Sequence, residues 1–331
     1  MASFSDGQRY NALLHLLANM AATSPGEMAL SGGRDSIPLR RKTTTHHLQK
    51  AAGLVPFADA TMSSPPVVLT IAGSDSSCGA GVQADLKAIS ALGGYGLNAL
   101  TGVVSETPGL VSQVRLMDAE FIEDQIRVLF GGFPIAAAKT GMLGGRDQVK
   151  AVAKTWLQFG HGLIPLVVDP VMIATSGGKL LEDAAVRTLI DELLPLASLI
   201  TPNLDEARVL WDREVPDTEA MEACALELSE RFDAAVLVKG GHLQGDAADV
   251  LCLNGELFWH TAPRTPGVRT HGTGCTFSAA IATGLAYEMG LNDAVATAKE
   301  FVSRAIAQHF MWQSAGAGPV HALNHLQQTD T

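Results

Sequence analysis

From Pro66 onward, short β-branched and apolar runs alternate with longer stretches whose apolar residues recur at helical spacing. That alternation leaves few solutions: a layered α/β fold in which a buried sheet carries helices on both faces. Strands are expected at 67–72, 97–104, 135–139, 164–169, Leu199-Ile200 and 235–239. Helices are expected at 79–92, 118–130, 147–159, 182–194, 204–211, 218–232, 273–289 and 293–310, the second of them turning Phe121, Ile122, Ile126, Leu129 and Phe130 inward. Asn254-Gly255 between 249–253 and 256–261 marks a hairpin, because both residues tolerate the left-handed conformation such a turn requires.

The 331 residues are 47% hydrophobic and 17% charged, enough apolar material for a large core. A net charge of −11 excludes a general nucleic-acid binder, so an anionic substrate needs a local positive site. Cys78, Cys224, Cys252 and Cys275 are scattered, with no zinc spacing, as expected of free thiols in a reducing compartment, the cytoplasm. Residues 1–65 differ in character. A short helix at 11–20 is interrupted by Ser24-Pro25-Gly26 and Ser31-Gly32-Gly33, the His46-His47 pair lacks partner ligands, and acidic residues weaken a transit-peptide reading. This segment is expected to be a disordered leader or an over-extended start, and 66–331 one domain.

Polar residues gather just after the strands, where open α/β sheets place their ligands. The most informative stretch is Arg269-Thr270-His271-Gly272-Thr273-Gly274-Cys275-Thr276, a glycine turn opening onto a small-residue helix. Free amides and the positive end of the helix dipole converge there, which makes an anion site, although such turns also occur for packing alone. Cys275 lies at the helix mouth, where a thiol pKa tends to fall. Gly79, Gly81 and Ala84 formally fit a dinucleotide fingerprint, but they lie well past the strand end and lack the acidic residue that holds a ribose. Gly178-Lys179 is not a Walker loop. Asn203 and Glu206, three apart at a helix start, suit either magnesium held through water or a capping box. Lys239 after a buried strand is a candidate phosphate clamp, and Asp169 is either a turn residue or a metal organiser.

Taken together, Thr70-Ile71-Ala72-Gly73-Ser74-Asp75, the run from Gly79 to Lys87, Lys139 to Leu143, Asp169 to Met172, Ile200 to Glu206, Val238 to His242, Thr270 to Thr276 and Gly318-Pro319-Val320-His321 resemble the hydroxymethylpyrimidine and hydroxymethylpyrimidine-phosphate kinases of thiamine biosynthesis. These belong to the ribokinase-like superfamily, which also holds pyridoxal kinases. The resemblance implies a three-layer α/β/α sandwich with a mainly parallel central sheet, ATP and Mg2+ as cofactors, a small heterocyclic alcohol or its phosphate as substrate, and a homodimer. It implies an anion hole at Gly272, Thr273, Gly274 and Cys275, with Cys275 where most ribokinase-like enzymes carry an aspartate base. Lys239, Asp169, Asn203, Gly241 and Thr273 would contact ATP, while Asn203, Glu206 and Asp169 would support magnesium. Asp85 would hold the pyrimidine, with Gly73, Ala80, Glu106, Met142 and Val171 lining its pocket.

One position departs from the family. Glu106, in Val104-Ser105-Glu106-Thr107-Pro108-Gly109, stands where a glutamine is usual. Glutamine offers a donor and an acceptor, whereas an ionised glutamate offers acceptors only and suits a ligand presenting two donors. Pyridoxal-type substrates therefore stay open, as do a catalytically silent binding protein on the same scaffold and, more distantly, a Rossmann dehydrogenase.

Overall fold

The structure, a computed structural model, describes residues 64–172, 181, 183–241, 245–268, 271–314 and 318–327. The readings made for 1–63, Gly178-Lys179, Glu182, His242, Arg269 and Thr270 lie outside the described residues.

Nine strands form one sheet in the order β3-β2-β1-β4-β5-β6-β7-β8-β9. They are β1 (Val67–Asp75), β2 (Tyr95–Thr107), β3 (Leu110–Leu116), β4 (Ile135–Thr140), β5 (Leu166–Val168), β6 (Leu199–Ile200), β7 (Ala235–Lys239), β8 (Ala247–Leu253) and β9 (Glu256–Ala262). Pairings from β2 through β7 are parallel, while β3, β8 and β9 join antiparallel at the two ends. The helices are α1 (Gly81–Ala91), α2 (Ala119–Gly132), α3 (Arg146–Phe159), α4 (Asp183–Thr188), α5 (Leu204–Trp211), α6 (Thr218–Phe232), α7 (Thr273–Ala286) and α8 (Leu291–Ala307). A small separate ribbon pairs β10 (Phe310–Ser314) with β11 (Gly318–Ala322).

The period of two along each strand divides the core. On β1, Val67, Leu69 and Ile71 pack with α2, α3 and α4, whereas Val68 faces α1, α7 and α8. Both faces are apolar, so central strands read as continuous hydrophobic runs. The three-layer α/β/α expectation holds. β1 lies between β2 and β4, and the order reverses there, which opens a crevice at the carboxyl ends of β1 and β4.

Several details correct the sequence reading. β3 was not expected; its residues are almost all exposed, so no buried face marks it. Phe121 points outward at 54% exposure, leaving Ile122 and Ile126 as the buried residues of α2. The expected helix at 182–194 is α4 followed by a π turn at Leu189–Leu193 and a 3-10 turn at Leu194–Leu196. Pro195 lacks the N–H that would continue α-helical bonding. The last helix stops at Ala307, and Phe310 begins a strand instead. At Asn254 and Gly255 both φ values are positive, as the hairpin turn demands.

Candidate active site

Two glycine-bearing loops meet at the end of β1. Gly272 caps α7 in the left-handed conformation at φ 81°, and a Cβ there would stand 1.9 Å from the Gly79 carbonyl oxygen. Gly81, at φ 59°, approaches the Gly73 carbonyl as closely, with 2.3 Å for the same hypothetical atom. Only glycine fits either position. The interlock sets the amino ends of α1 and α7 side by side. The first intrahelical bond of α7 runs from Thr276 N–H to the Gly272 carbonyl, so the amides of Thr273, Gly274 and Cys275 precede the ladder and are available to an anion.

The positive groups come from the neighbouring strand ends. Lys239, closing β7, donates from Nζ to Asp169 Oδ1 at 2.8 Å. A Cβ on Gly274 would lie 3.3 Å from that Nζ and 3.4 Å from Asp169 Oδ2, so the α7 turn, Lys239 and Asp169 converge. Burial works against the ammonium, but Asp169 and Glu206 beside it raise the Lys239 pKa above the usual lysine value. Asn203 and Glu206 form a reciprocal capping box on α5: Glu206 N–H donates to Asn203 Oδ1 at 2.9 Å, and Asn203 N–H to Glu206 Oε2 at 2.8 Å. Glu206 is buried, which pushes its pKa to about 7, with Asp169 adding to the rise and Lys239 opposing it. The two residues expected to support magnesium thus form the cap.

Cys275 corrects the expectation of a lowered thiol pKa. Burial pushes it up to about 12, against the pull of Lys139 and a hydrogen bond from the Gly81 amide. It is a neutral thiol at ordinary pH, because the nearby carboxylates of Asp85 and Asp169 further oppose a second anion.

Asp85 is placed differently from a ring-binding group. Its side chain is inaccessible and accepts hydrogen bonds from Lys139 Nζ at 3.0 and 3.1 Å and from the Thr70 hydroxyl. The carboxylate is thus turned into the protein, toward Thr70 of β1 and Lys139 of β4. Burial works against the Lys139 ammonium, but Asp85 beside it raises its pKa above the usual lysine value. Gly73 and Met142 do meet: Gly73 N–H donates to the Met142 carbonyl, and a Cβ on Gly73 would lie 3.3 Å from its sulfur. Ala80 is buried in the interlock, donating its amide to Asp75 at 2.8 Å. Val171 is half-buried after β5, and Gly241 is exposed, with open space where a Cβ would stand.

Sequence reasoning passed over Asp75 and His271. Asp75 accepts from Ser77 N at 2.6 Å, Ser77 Oγ at 2.9 Å, Gly79 N at 3.0 Å and Ala80 N at 2.8 Å. Burial would raise its pKa, but the neighbouring His271 and the donors of Ser77 and Ala80 bring it down to about 2. The signal was present in an aspartate four and five residues before two glycine-loop amides, the pattern of a side chain folding its own turn.

The architecture matches known kinases. The family model of phosphomethylpyrimidine kinase matches residues 75–321. The chain belongs to the phosphomethylpyrimidine kinase family. A hydroxymethylpyrimidine/phosphomethylpyrimidine kinase of Rhizobium meliloti is 44% identical over 262 residues, covering 77% of this chain and 96% of the relative. One from Streptomyces coelicolor is 41% identical, covering 78% and 94%. Among solved structures, pyridoxal kinase from Staphylococcus aureus in complex with AMP-PCP and pyridoxal superposes with a TM-score of 0.71 at 32% identity, covering 80% of this chain and 95% of that one. Glu106, expected in the substrate pocket, is anchored through its backbone: its N–H and carbonyl both bond Ser76 Oγ at 2.9 Å, tying β2 to the loop after β1.

Proposed function

We propose that this kinase transfers the γ-phosphoryl group of ATP to the hydroxymethyl oxygen of 4-amino-5-hydroxymethyl-2-methylpyrimidine, and to the phosphate of the resulting monophosphate, as in thiamine biosynthesis. The observation that carries the reading is the convergence of the α7 amides with Lys239 and Asp169 at Gly274. It provides fixed positive charge where three equatorial phosphoryl oxygens gather negative charge.

In the transfer, the substrate oxygen bonds to the γ-phosphorus while the bond to the β–γ bridging oxygen breaks, and ADP leaves with that electron pair. The amides of Thr273, Gly274 and Cys275 and the Lys239 ammonium neutralise the oxygens throughout. Cys275, held as a thiol, is not an anionic base; in a loose transition state the alcohol proton departs late, to a phosphoryl oxygen or water. Asp169 and Glu206 put two carboxylates beside one ammonium, an oxygen-rich set that suits a hard cation. Asn203 Oδ1 and Glu206 Oε2 are engaged in the cap, so these residues would hold Mg2+ through water. When bound, the ion supplies further charge neutralisation at the phosphates.

A second reading, a pyridoxal-type substrate, is favoured by Glu106 and by the pyridoxal kinase likeness. The deciding experiment incubates the enzyme with Mg-ATP and, separately, hydroxymethylpyrimidine, its monophosphate and pyridoxal, scoring mono- and diphosphate products. Diphosphate from the pyrimidine is the expected result; ADP release with pyridoxal alone selects the second reading, and none with any substrate sinks both. The same reading carries a homodimer in the cytoplasm, with Val114 and Leu116, exposed on one face of β3, as its apolar contact.

A further inference from the structure

Asp75, Glu106 and His271 come from three separate pieces of chain, and the phosphoryl-transfer step as written needs none of them. Their ligand atoms lie within 4.8 Å of one another. His271 Nε2 stands 3.3 Å from Asp75 Oδ2 and 3.8 Å from Glu106 Oε2, yet it is buried without a directed hydrogen bond. It thus lies between the two carboxylates. A bare metal ion is poorly served here, because Asp75 already accepts four donors from Ser77, Gly79 and Ala80. A proton is better served: without one, two carboxylates would share a half-buried space uncompensated.

The cluster also sits on the interlock. Asp75 grips the Gly79 amide and faces His271, the residue preceding Gly272, so it touches both sides of the Gly79–Gly272 contact that aims the α7 amides. The Glu106 backbone is pinned to Ser76, which leaves its carboxylate as the movable part.

We propose that Asp75, His271 and Glu106 form a proton-holding clamp at the mouth of the site, in which His271 is a positioning residue for the phosphate turn and Glu106 selects a ring presenting two adjacent N–H donors, such as a protonated aminopyrimidine. This rests on the kinase reading above. The charged groups acting on His271 among the described residues are Asp75 and Glu106; burial opposes its cationic form, but together they raise its pKa above the usual histidine value. On Glu106, burial and Asp75 raise the pKa while His271 opposes them. Binding of a two-donor ring exchanges one cationic partner of Glu106 for another, so it keeps the charge of the clamp balanced.

The test titrates the His271 ring by NMR in the nucleotide-free enzyme, wild type against Glu106→Gln and Glu106→Asp, alongside kcat and KM for hydroxymethylpyrimidine from pH 6 to 9. Glu106→Gln should lower the His271 midpoint, Glu106→Asp should keep it, and Glu106→Gln should cost about tenfold in kcat/KM, mostly through KM, as one lost charge contact of a pKa unit would. His271→Asn should act chiefly on kcat, by about tenfold or more. An unchanged His271 midpoint in Glu106→Gln overturns the clamp, and so does stoichiometric Zn2+ binding that abolishes the titration at neutral pH. The NMR readout needs no turnover, so the clamp and the kinase reading fail separately.

Discussion

The half-buried thiol of Cys275 bears on how the proposed reaction handles its proton. Cys275, pushed up to about 12, should resist alkylation by iodoacetamide at pH 8 while exposed Cys78 reacts, as peptide mass spectrometry would show. Rapid labelling of Cys275 would make it a thiolate and restore it as a base. Lys239→Met should lower kcat about 100-fold or more, because its ammonium faces the α7 turn, and should also lower the melting temperature, because Asp169 is left buried without its cation. Asp75 gives a pH prediction. Its folded pKa of about 2 lies below the ordinary 3.8, so its stabilising effect is present above pH 4 and is lost as pH falls through 2. Asp75→Asn should therefore cost about 2 kcal/mol at neutral pH and flatten the acid-unfolding curve between pH 4 and 2, read by circular dichroism.

Among the elements, the entry to α7 is the least tolerant. Gly272→Ala would put a methyl against the Gly79 carbonyl and force a positive φ, so a melting-temperature drop with loss of ATP turnover is expected; a normal enzyme would show the loop to be loose. The elements also show what the sequence made legible. Leu199-Ile200, 204–211, 218–232 and 235–239 coincide with their expected bounds, since caps such as Asn203 and Asp217 and apolar runs buried on both faces leave local signals. β3 and β10 had none: both are exposed, and Phe310-Met311-Trp312 follows the helical pattern of α8 closely enough to extend it. At the site, glycines and strand-end residues announced the phosphate turn. The inward turn of Asp85 was not visible, because its partners Thr70 and Lys139 are joined to it only by the sheet.

For the molecule as a whole, one edge of the sheet is the exposed strand β3. Val114, 36% exposed, and Leu116, 40% exposed, occupy one face of β3, and sedimentation should find a dimer that Val114→Lys shifts toward monomer; a wild-type monomer would remove that surface from consideration. The two halves of the site belong to opposite ends of the described chain, the Asp75 loop near its beginning and the α7 turn near its end. The face of the sheet between them is covered by α1, α7 and α8 together. During synthesis, the first strands therefore emerge with that face covered only by α1, and the Asp75 loop lacks its Gly272 counterpart. They must wait for nearly the whole chain. A chain halted before α7 therefore lacks the turn that faces the Asp75 loop and leaves part of its sheet uncovered.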